Sequence, residues 1–346
     1  MLKKLTVEDF TVFRFADIKF ASNLNVVVGE NGLGKTHLLK ILYSVLNVSY
    51  DLGKKHPGLP TKAALQGALA EKLINVFRPE ALGRLVRRRK GHGRSEISVR
   101  FEKKTLDLDF AFSTGSKSEV TIDYLPQNWS QIQPAYLPTR ELMSLYPGFV
   151  ALYEGRYLEF EETWRDTCLL LGQPLFRGPR ASEASRLLAP LEEAMGGKVV
   201  LDKNGRFYLK LPGSGNMEMH LVAEGWRKLC MLAQLIANGS LLDKGYLFWD
   251  EPEANLNPKM VRLVAKTIFE LSNSGIQVFI GTHSLFLMRE LEILLATTPT
   301  KLDATFIGLH AGDSGTDVIQ GGDTSAIGDI AALEANLEQS DRYLEV

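Results

Sequence analysis

The sequence predicts a mixed α/β fold: a parallel sheet core that carries an antiparallel meander and an inserted helical arm. Three observations point there. A run apolar but for Asn25, Leu24 to Val28, meets a glycine-rich turn and then a segment with helical spacing from His37 to Leu46. From about 224 to 284, helical stretches alternate with short apolar runs, the pattern of a parallel sheet. Between them, residues 142–195 have helical spacing broken at Pro147, Gly172, Pro174 and Pro179.

Taken in order, Leu5, Val7, Phe10, Val12, Phe13, Phe15, Ile18 and Phe20 alternate as strands do. Leu24 to Val28, apolar apart from Asn25, predicts a buried central strand. Gly53, Pro57, Gly58 and Pro60 punctuate the chain before a second helical stretch that ends near 80. Alternation returns in Ile97-Ser98-Val99-Arg100-Phe101 and from Leu106 to Phe112, as a meander added to the core. Residues 198–211 predict a hairpin turning at Asn204-Gly205. Helices over 224–238 and 258–272 flank a strand at Tyr246–Trp249, and a strand at Gln277–Ile280 leads through Thr282-His283-Ser284 into another helix. Residues 304–346 predict two strands and an acidic helix. The expected organisation is one domain over 1–346, with a core at 1–140 and 198–346 and an inserted helical subdomain at 141–197.

The chain has 346 residues, 45% of them apolar and 23% charged, the balance of an ordinary globular protein. With 40 basic and 41 acidic residues the net charge is -1, which excludes a surface that binds polyanions throughout, so any nucleic-acid contact is local. Cys168 and Cys230 stand far apart with no CxxC, against a structural zinc or a disulfide framework, and are expected as buried small hydrophobes. Glu8 and Asp9 interrupt the start before any signal-like run, and no apolar stretch reaches about 18 residues. A cytoplasmic protein without a membrane segment is expected.

Gly29-Glu30-Asn31-Gly32-Leu33-Gly34-Lys35-Thr36 satisfies G-x-x-x-x-G-K-[ST] between a strand and a helix, the context that this phosphate loop requires. Backbone N–H groups from Asn31, Gly32, Leu33 and Gly34 through His37 are predicted to face phosphates at a helix N-terminus. Lys35 is expected to neutralise β and γ charge during catalysis, and the Thr36 hydroxyl to ligate Mg²⁺. Tyr246-Leu247-Phe248-Trp249-Asp250-Glu251-Pro252 is an apolar strand ending in two carboxylates. Asp250 is the expected Mg²⁺ holder, usually through water, and Glu251 the catalytic residue that orients and deprotonates the attacking water. His283, at the end of the next strand, is expected to contact the γ-phosphate. The implied cofactors are ATP and Mg²⁺.

The order of these motifs, with Asn255-Leu256-Asn257-Pro258 and Gly281-Thr282-His283-Ser284, resembles the ABC ATPase superfamily. Ala223 to Leu229, Asp250 to Pro258 and Thr282 to Phe286 resemble more closely the AAA-labelled, SMC/RecF-like ATPases, a group that includes the ATPases of Septu and OLD antiphage systems. The resemblance implies a P-loop NTPase fold of ABC-ATPase type. It also implies a homodimer, or an assembly of dimers, in which the phosphate loop of one copy and the signature loop of the other clamp ATP. Glu224, Gly225 and Trp226 fall on that signature loop, with Asn255 as a further nucleotide contact. The chain departs from the pattern twice: Ala223 replaces the usual serine, and Thr139, Arg140 and Glu141 stand where a glutamine is expected. Glu141, Gln133 and Gln127 are the candidate substitutes.

Sustained heptads of the SMC kind are absent, and about 60 residues after His283 are too few for an appended nuclease domain. The expected function is therefore an ATP-hydrolysing regulatory or scaffold subunit that controls a separate effector, a nuclease or toxin, in antiphage defence. The alternative is a RecF/SMC-like DNA repair ATPase. There Arg84, Arg87, Arg88, Arg89, Lys90, His92 and Arg94 would grip phosphates, although the same cluster also fits a solvated hairpin or a patch for an acidic partner. A third reading is a nucleotide-binding scaffold with little turnover. Phe10, Phe13, Phe15 and Phe20 are expected as sheet core, with an adenine-stacking residue among them as the other reading, and Trp249 is expected to pack.

Overall fold

The computed structural model describes residues 1–56, 58–155, 159–175, 181–242, 245–329 and 331–345. Strands β1 (Leu2–Phe10) and β2 (Phe13–Lys19) form a hairpin, and β3 (Leu24–Gly29) runs into the phosphate loop. Helices α1 (Lys35–Lys55) and α2 (Lys62–Phe77) follow, then β4 (Arg94–Phe101), β5 (Leu108–Ser113), β6 (Thr121–Tyr124) and β7 (Pro134–Leu137). The arm contributes α3 (Tyr146–Glu154), α4 (Glu162–Leu171) and α5 (Ala181–Met195), and β8 (Lys198–Leu201), β9 (Phe207–Leu211) and β10 (Gly215–Glu218) come next. The chain closes with α6 (Glu224–Ala237), β11 (Tyr246–Asp250), α7 (Pro258–Asn273), β12 (Gln277–Thr282), α8 (Leu285–Thr297), β13 (Ala304–Gly312), β14 (Gly315–Gly321) and α9 (Ala331–Leu344).

The main sheet has the order β14-β13-β3-β12-β11-β7, parallel except at β14. Alternate residues of its strands face two clusters. Val26, Val28, Leu247 and Trp249 pack with α5 to α8, whereas Val27, Tyr246 and Phe248 pack with α1 and the meander. The meander joins the first hairpin in one antiparallel sheet, β2-β1-β4-β5-β6. Register sets Asp250 opposite Gly281 and Thr282 opposite Val28, so the C-terminal ends of β3, β12 and β11 lie side by side, where open α/β sheets hold ligands.

Helix α1 continues past Leu46 to Lys55 although Gly53 interrupts its pattern. A Cβ there would come within 2.6 Å of the Trp129 Cβ, so the glycine permits close packing on the helix and does not end it. Pro147 and Gly148 do leave helical geometry at the start of α3, and Gly172 caps α4. The predicted breaks at Pro57 and Pro179 lie outside the described residues. Strand β10 was not foreseen, because Gly215-Asn216-Met217-Glu218 has no apolar alternation and is recognised only by its pairing with β9.

A buried polar network ties the arm to the helix that follows the phosphate loop. Lys72 of α2 bonds Glu162 at 2.9 Å and Asp166 at 2.7 Å, and the Tyr43 hydroxyl of α1 donates to Asp166 at 2.6 Å. Lys40 pairs with Glu161 at 2.5 Å. Among the described residues, no helix is long and apolar enough to cross a membrane.

Candidate functional site

Sheet and helix α1 converge on one edge. Gly34 adopts φ 98°, and a Cβ on it would lie 2.7 Å from Phe13 and Val12, so only glycine lets the loop pass beneath the first hairpin. Lys35, 5% exposed, donates to the carbonyls of Gly29 at 2.8 Å and Glu30 at 2.9 Å. Burial pulls its pKa down, against the charges of Glu251, Asp250, Glu253 and Glu30. The Thr36 hydroxyl donates to Oδ2 of Asp250 at 2.7 Å. Burial pushes Asp250 up to about 6, the charge of Glu251 adds to the rise, and the Thr36 bond with Lys40 and Lys35 opposes it. Its other oxygen, Oδ1, is buried and has no hydrogen-bond partner.

Glu251 takes φ 45°, a left-handed conformation that costs a non-glycine residue of order 1 kcal/mol or more and persists only where neighbours impose it. Its N–H donates to the Gly281 carbonyl at 2.8 Å, and its own carbonyl accepts from Lys228 at 2.7 Å. The side chain reaches His283, with Oε1 3.3 Å from Nδ1. Glu253, the third acid of the run, accepts from the Thr282 hydroxyl at 2.5 Å, which fixes the turn carrying His283. Lys35, Thr36, Asp250, Glu251 and His283 thus stand together, as their motifs predict.

Of the signature residues, Glu224 accepts from the Asn255 side-chain amide at 2.9 Å, and the half-buried Trp226 side chain packs against the main core. Ala223 precedes α6 without any side-chain cap. Of the candidate glutamine substitutes, Glu141 accepts from Arg227 at 2.6 Å and from the Ser144 hydroxyl at 2.7 Å, which commits it to the signature helix. Gln127 is exposed.

A cavity of about 540 Å³ adjoins the phosphate loop, walled by Thr11, Val12, Leu33, His37, Phe77 and Arg87. The Thr11 hydroxyl and His37 Nδ1 are buried there without partners, and burial, with the charge of Lys40, pulls His37 down to about 4. Phe10, Phe13 and Phe20 are core, and Phe15 is 57% exposed on the outer face of β2. The aromatic at the cavity is Phe77, from a helix whose apolar spacing gave no sign of it. Trp249 is fully buried, as are Cys168 and Cys230.

Lys228 also escaped sequence reasoning. A lysine one turn into a helix reads as solvated, yet this one is 2% exposed and bonds the carbonyls of Glu251 and, at 3.3 Å, Ala254. Burial pulls it down to about 8 despite the charges of Glu253, Glu251 and Asp250. Lys228→Met is expected to leave the Ala254 carbonyl unpaired and the Glu251 carbonyl with only the Ala254 N–H, lowering stability by about 1–3 kcal/mol and slowing turnover more than it weakens nucleotide affinity. Urea unfolding and steady-state kinetics check this. Unchanged turnover would show that the strained Glu251 needs no such support.

Known proteins share this fold. The AAA-domain family described as putative AbiEii toxin, Type IV TA system, matches residues 24–289. A search of the curated proteins gave no match. Among solved structures, an SMC head bound to the C-winged helix domain of ScpA is similar with TM-score 0.58 and 15% identity, over 92% of this chain and 97% of that one. The SMC head domain from Thermotoga maritima gives TM-score 0.50 at 16% identity, over 92% of this chain and 98% of its own. An SMC head with an extended coiled coil, bound to the C-terminal domain of ScpA derived from Pyrococcus furiosus, gives 0.54 at 15% identity, over 99% of this chain and 98% of that one. At these identities the likeness is one of fold, the P-loop NTPase fold of ABC type. The family match, which covers more than half of the chain, begins in β3 and ends in α8, and so takes in the phosphate loop, the signature loop, the acidic strand end and His283. The chain belongs to this AAA-domain family and shares the fold of SMC heads.

Proposed function

We propose that this chain binds and hydrolyses Mg²⁺-ATP, closing into a dimer around the nucleotide and thereby controlling a separate effector. The observation that carries the reading is the convergence of Lys35, Thr36, Asp250 and Glu251 at adjacent strand ends. The fit to a divalent cation rests on Asp250: one oxygen meets the Thr36 hydroxyl and the other is buried with nothing to bond. When bound, Mg²⁺ would screen the β and γ oxygens as the terminal phosphoryl group leaves. Lys35 would exchange the carbonyls of Gly29 and Glu30 for phosphate oxygens. Backbone N–H groups from Asn31 to His37 would line the phosphates, and the cavity between Phe77 and Val12 has room for base and ribose.

Glu251 would orient the attacking water and accept its proton. With His283 Nδ1 toward Glu251, the second ring nitrogen is left for the γ-phosphate. In the partner copy, the N-terminal end of α6, at Glu224 to Trp226, would face that phosphate, where a helix N-terminus favours negative charge. The family description supports a place in toxin–antitoxin or antiphage defence, and the ScpA domains on the similar SMC heads support a protein partner. A cytoplasmic setting accords with that role.

The rival reading of a DNA-gripping basic segment is weakened where its cations already meet carboxylates or the cavity. Arg84 pairs with Glu80 at 3.1 Å, Arg89 with Asp9 at 2.9 Å, and Arg94 with Asp123 at 3.0 Å, while Arg84, Arg87 and Arg88 wall the cavity beside the phosphate loop. Phosphate release and light-scattering mass, with and without Mg²⁺-ATP, test the proposal. Turnover with a nucleotide-dependent rise in mass is expected. A monomer at every ATP concentration, or no phosphate release, would overturn it.

A further inference from the structure

We propose that Tyr136 completes the metal side of the nucleotide site, its hydroxyl donating to Oδ1 of Asp250 and accepting from a water of the bound Mg²⁺, in place of the missing glutamine. This inference rests on the reading of Asp250 as the metal holder.

Strand β7 lies beside β11, with Tyr136 opposite Phe248. Both side chains meet α1: the Tyr43 ring is 5.3 Å from that of Tyr136 and 6.3 Å from that of Phe248. Asp250 is two residues beyond Phe248 on that same face, since it bonds Thr36 at the start of α1. Two residues along a strand span about 6.6 Å, within the reach of a phenol that leans along the strand direction.

Tyr136 is 2% exposed, and its hydroxyl has no hydrogen-bond partner. Burial raises its phenol well above the ordinary range, and the charges of Asp250 and Glu161 and the approach of the Asp250 carboxylate to the hydroxyl raise it further. Strand register sets that carboxylate beside the phenol, in a contact outside ordinary hydrogen-bond length and angle. Two orphaned oxygens, Tyr136 Oη and Asp250 Oδ1, are thus buried at one sheet edge. Leaving such groups unpaired is costly, and a bound ligand that draws the hydroxyl onto Oδ1 and gives it a donor of its own satisfies both.

The other substitutes are less well placed. Glu141 is held by Arg227 and Ser144, and Gln133 precedes β7 at the end of the strand remote from Asp250. A phenol that stays neutral can both donate and accept, which a bridge between a carboxylate and a metal-bound water requires.

The test is Tyr136→Phe in the full chain, with three measurements. Fluorescent ATP-analogue affinity is measured with Mg²⁺ and in EDTA, Mn²⁺ binding is titrated by EPR in the presence of ADP, and the ligand-free protein is melted. Loss of an outer-shell partner is expected to weaken Mn²⁺ binding and the Mg²⁺-dependent gain in affinity by about 10–100-fold. Affinity in EDTA should not change, and the ligand-free variant should melt no lower than the parent, because the hydroxyl removed has no partner to lose. A lower melting point with a parallel loss of affinity in EDTA would make Tyr136 structural and overturn the inference. So would an unchanged Mg²⁺ effect in a protein where Asp250→Asn abolishes it. If Asp250→Asn also leaves the Mg²⁺ effect intact, the metal reading itself fails.

Discussion

Glu251→Gln is expected to lower ATP turnover by about 10²–10⁴-fold, the usual contribution of a positioned general base, while ATP affinity stays within a few-fold. The amide preserves the size of the side chain and the reach toward His283, 3.3 Å away, but it cannot take the proton of the attacking water. The backbone supports at Gly281 and Lys228 do not depend on the side chain, so the left-handed conformation of residue 251 should survive. Binding, which falls to Lys35, Thr36 and Asp250, should then go on without the step that ends it. If ATP closes two copies face to face, the variant accumulates as the closed dimer at ATP concentrations where the parent cycles. Single-turnover phosphate release and mass measurement with ATP check both halves. A loss of turnover with no gain in dimer would keep Glu251 as the base and remove the clamp. Turnover within threefold of the parent would remove both.

The parts of this site legible in the sequence are those where one physical demand dictates the residue. A loop that passes 2.7 Å beneath Phe13 and Val12 admits only glycine at position 34, and a strand buried on both faces reads as mostly apolar, with its one polar residue, Asn25, bonded to Ala21 and Val278. Asp250, Glu251 and His283 were legible because apolar strands end at them. What stayed hidden depends on partners distant in the chain. Lys228 is buried because the carbonyl of Glu251, 23 residues on, accepts its proton, and no local pattern announces a carbonyl. Tyr136 reads as one more aromatic in a strand, and only the register with β11 sets it beside Asp250. The reach of α1 to Lys55 depended in the same way on Trp129, which lies against Gly53. For the basic segment, composition fits a phosphate grip and a solvated hairpin alike, and only the fold shows that Arg89 and Arg94 meet Asp9 and Asp123 on other strands.

The second large effect concerns the link between the arm and the phosphate-loop helix. Asp166→Ala should lower stability by about 3–5 kcal/mol, the range for removing one partner of a buried ion pair. Lys72 is almost wholly enclosed and would keep only Glu162, 2.9 Å away, while the buried Tyr43 hydroxyl would lose its acceptor. Burial pushes Asp166 up, but Lys72, Tyr43 and Arg165 outweigh it and hold the carboxyl below the usual range. Burial likewise pulls Lys72 down, and Asp166 with Glu162 more than restores it, leaving it above the usual lysine value. The signs fix the pH window. A depressed acid contributes stability above its unfolded value that is lost as pH falls through the folded one, whereas a raised lysine contributes below its unfolded value and loses it as pH rises through the folded one. The difference between parent and variant should therefore be flat from about pH 5 to 9 and shrink in stronger acid, as Asp166 protonates, and in stronger alkali, as Lys72 loses its charge. Urea unfolding across that range measures it. A cost below about 1 kcal/mol would mean that desolvation cancels the pair and that apolar contacts alone hold the arm. A full cost would make α4 part of what fixes α1, because Tyr43 lies two turns beyond Lys35 and any shift of α1 moves the lysine that must meet the phosphates.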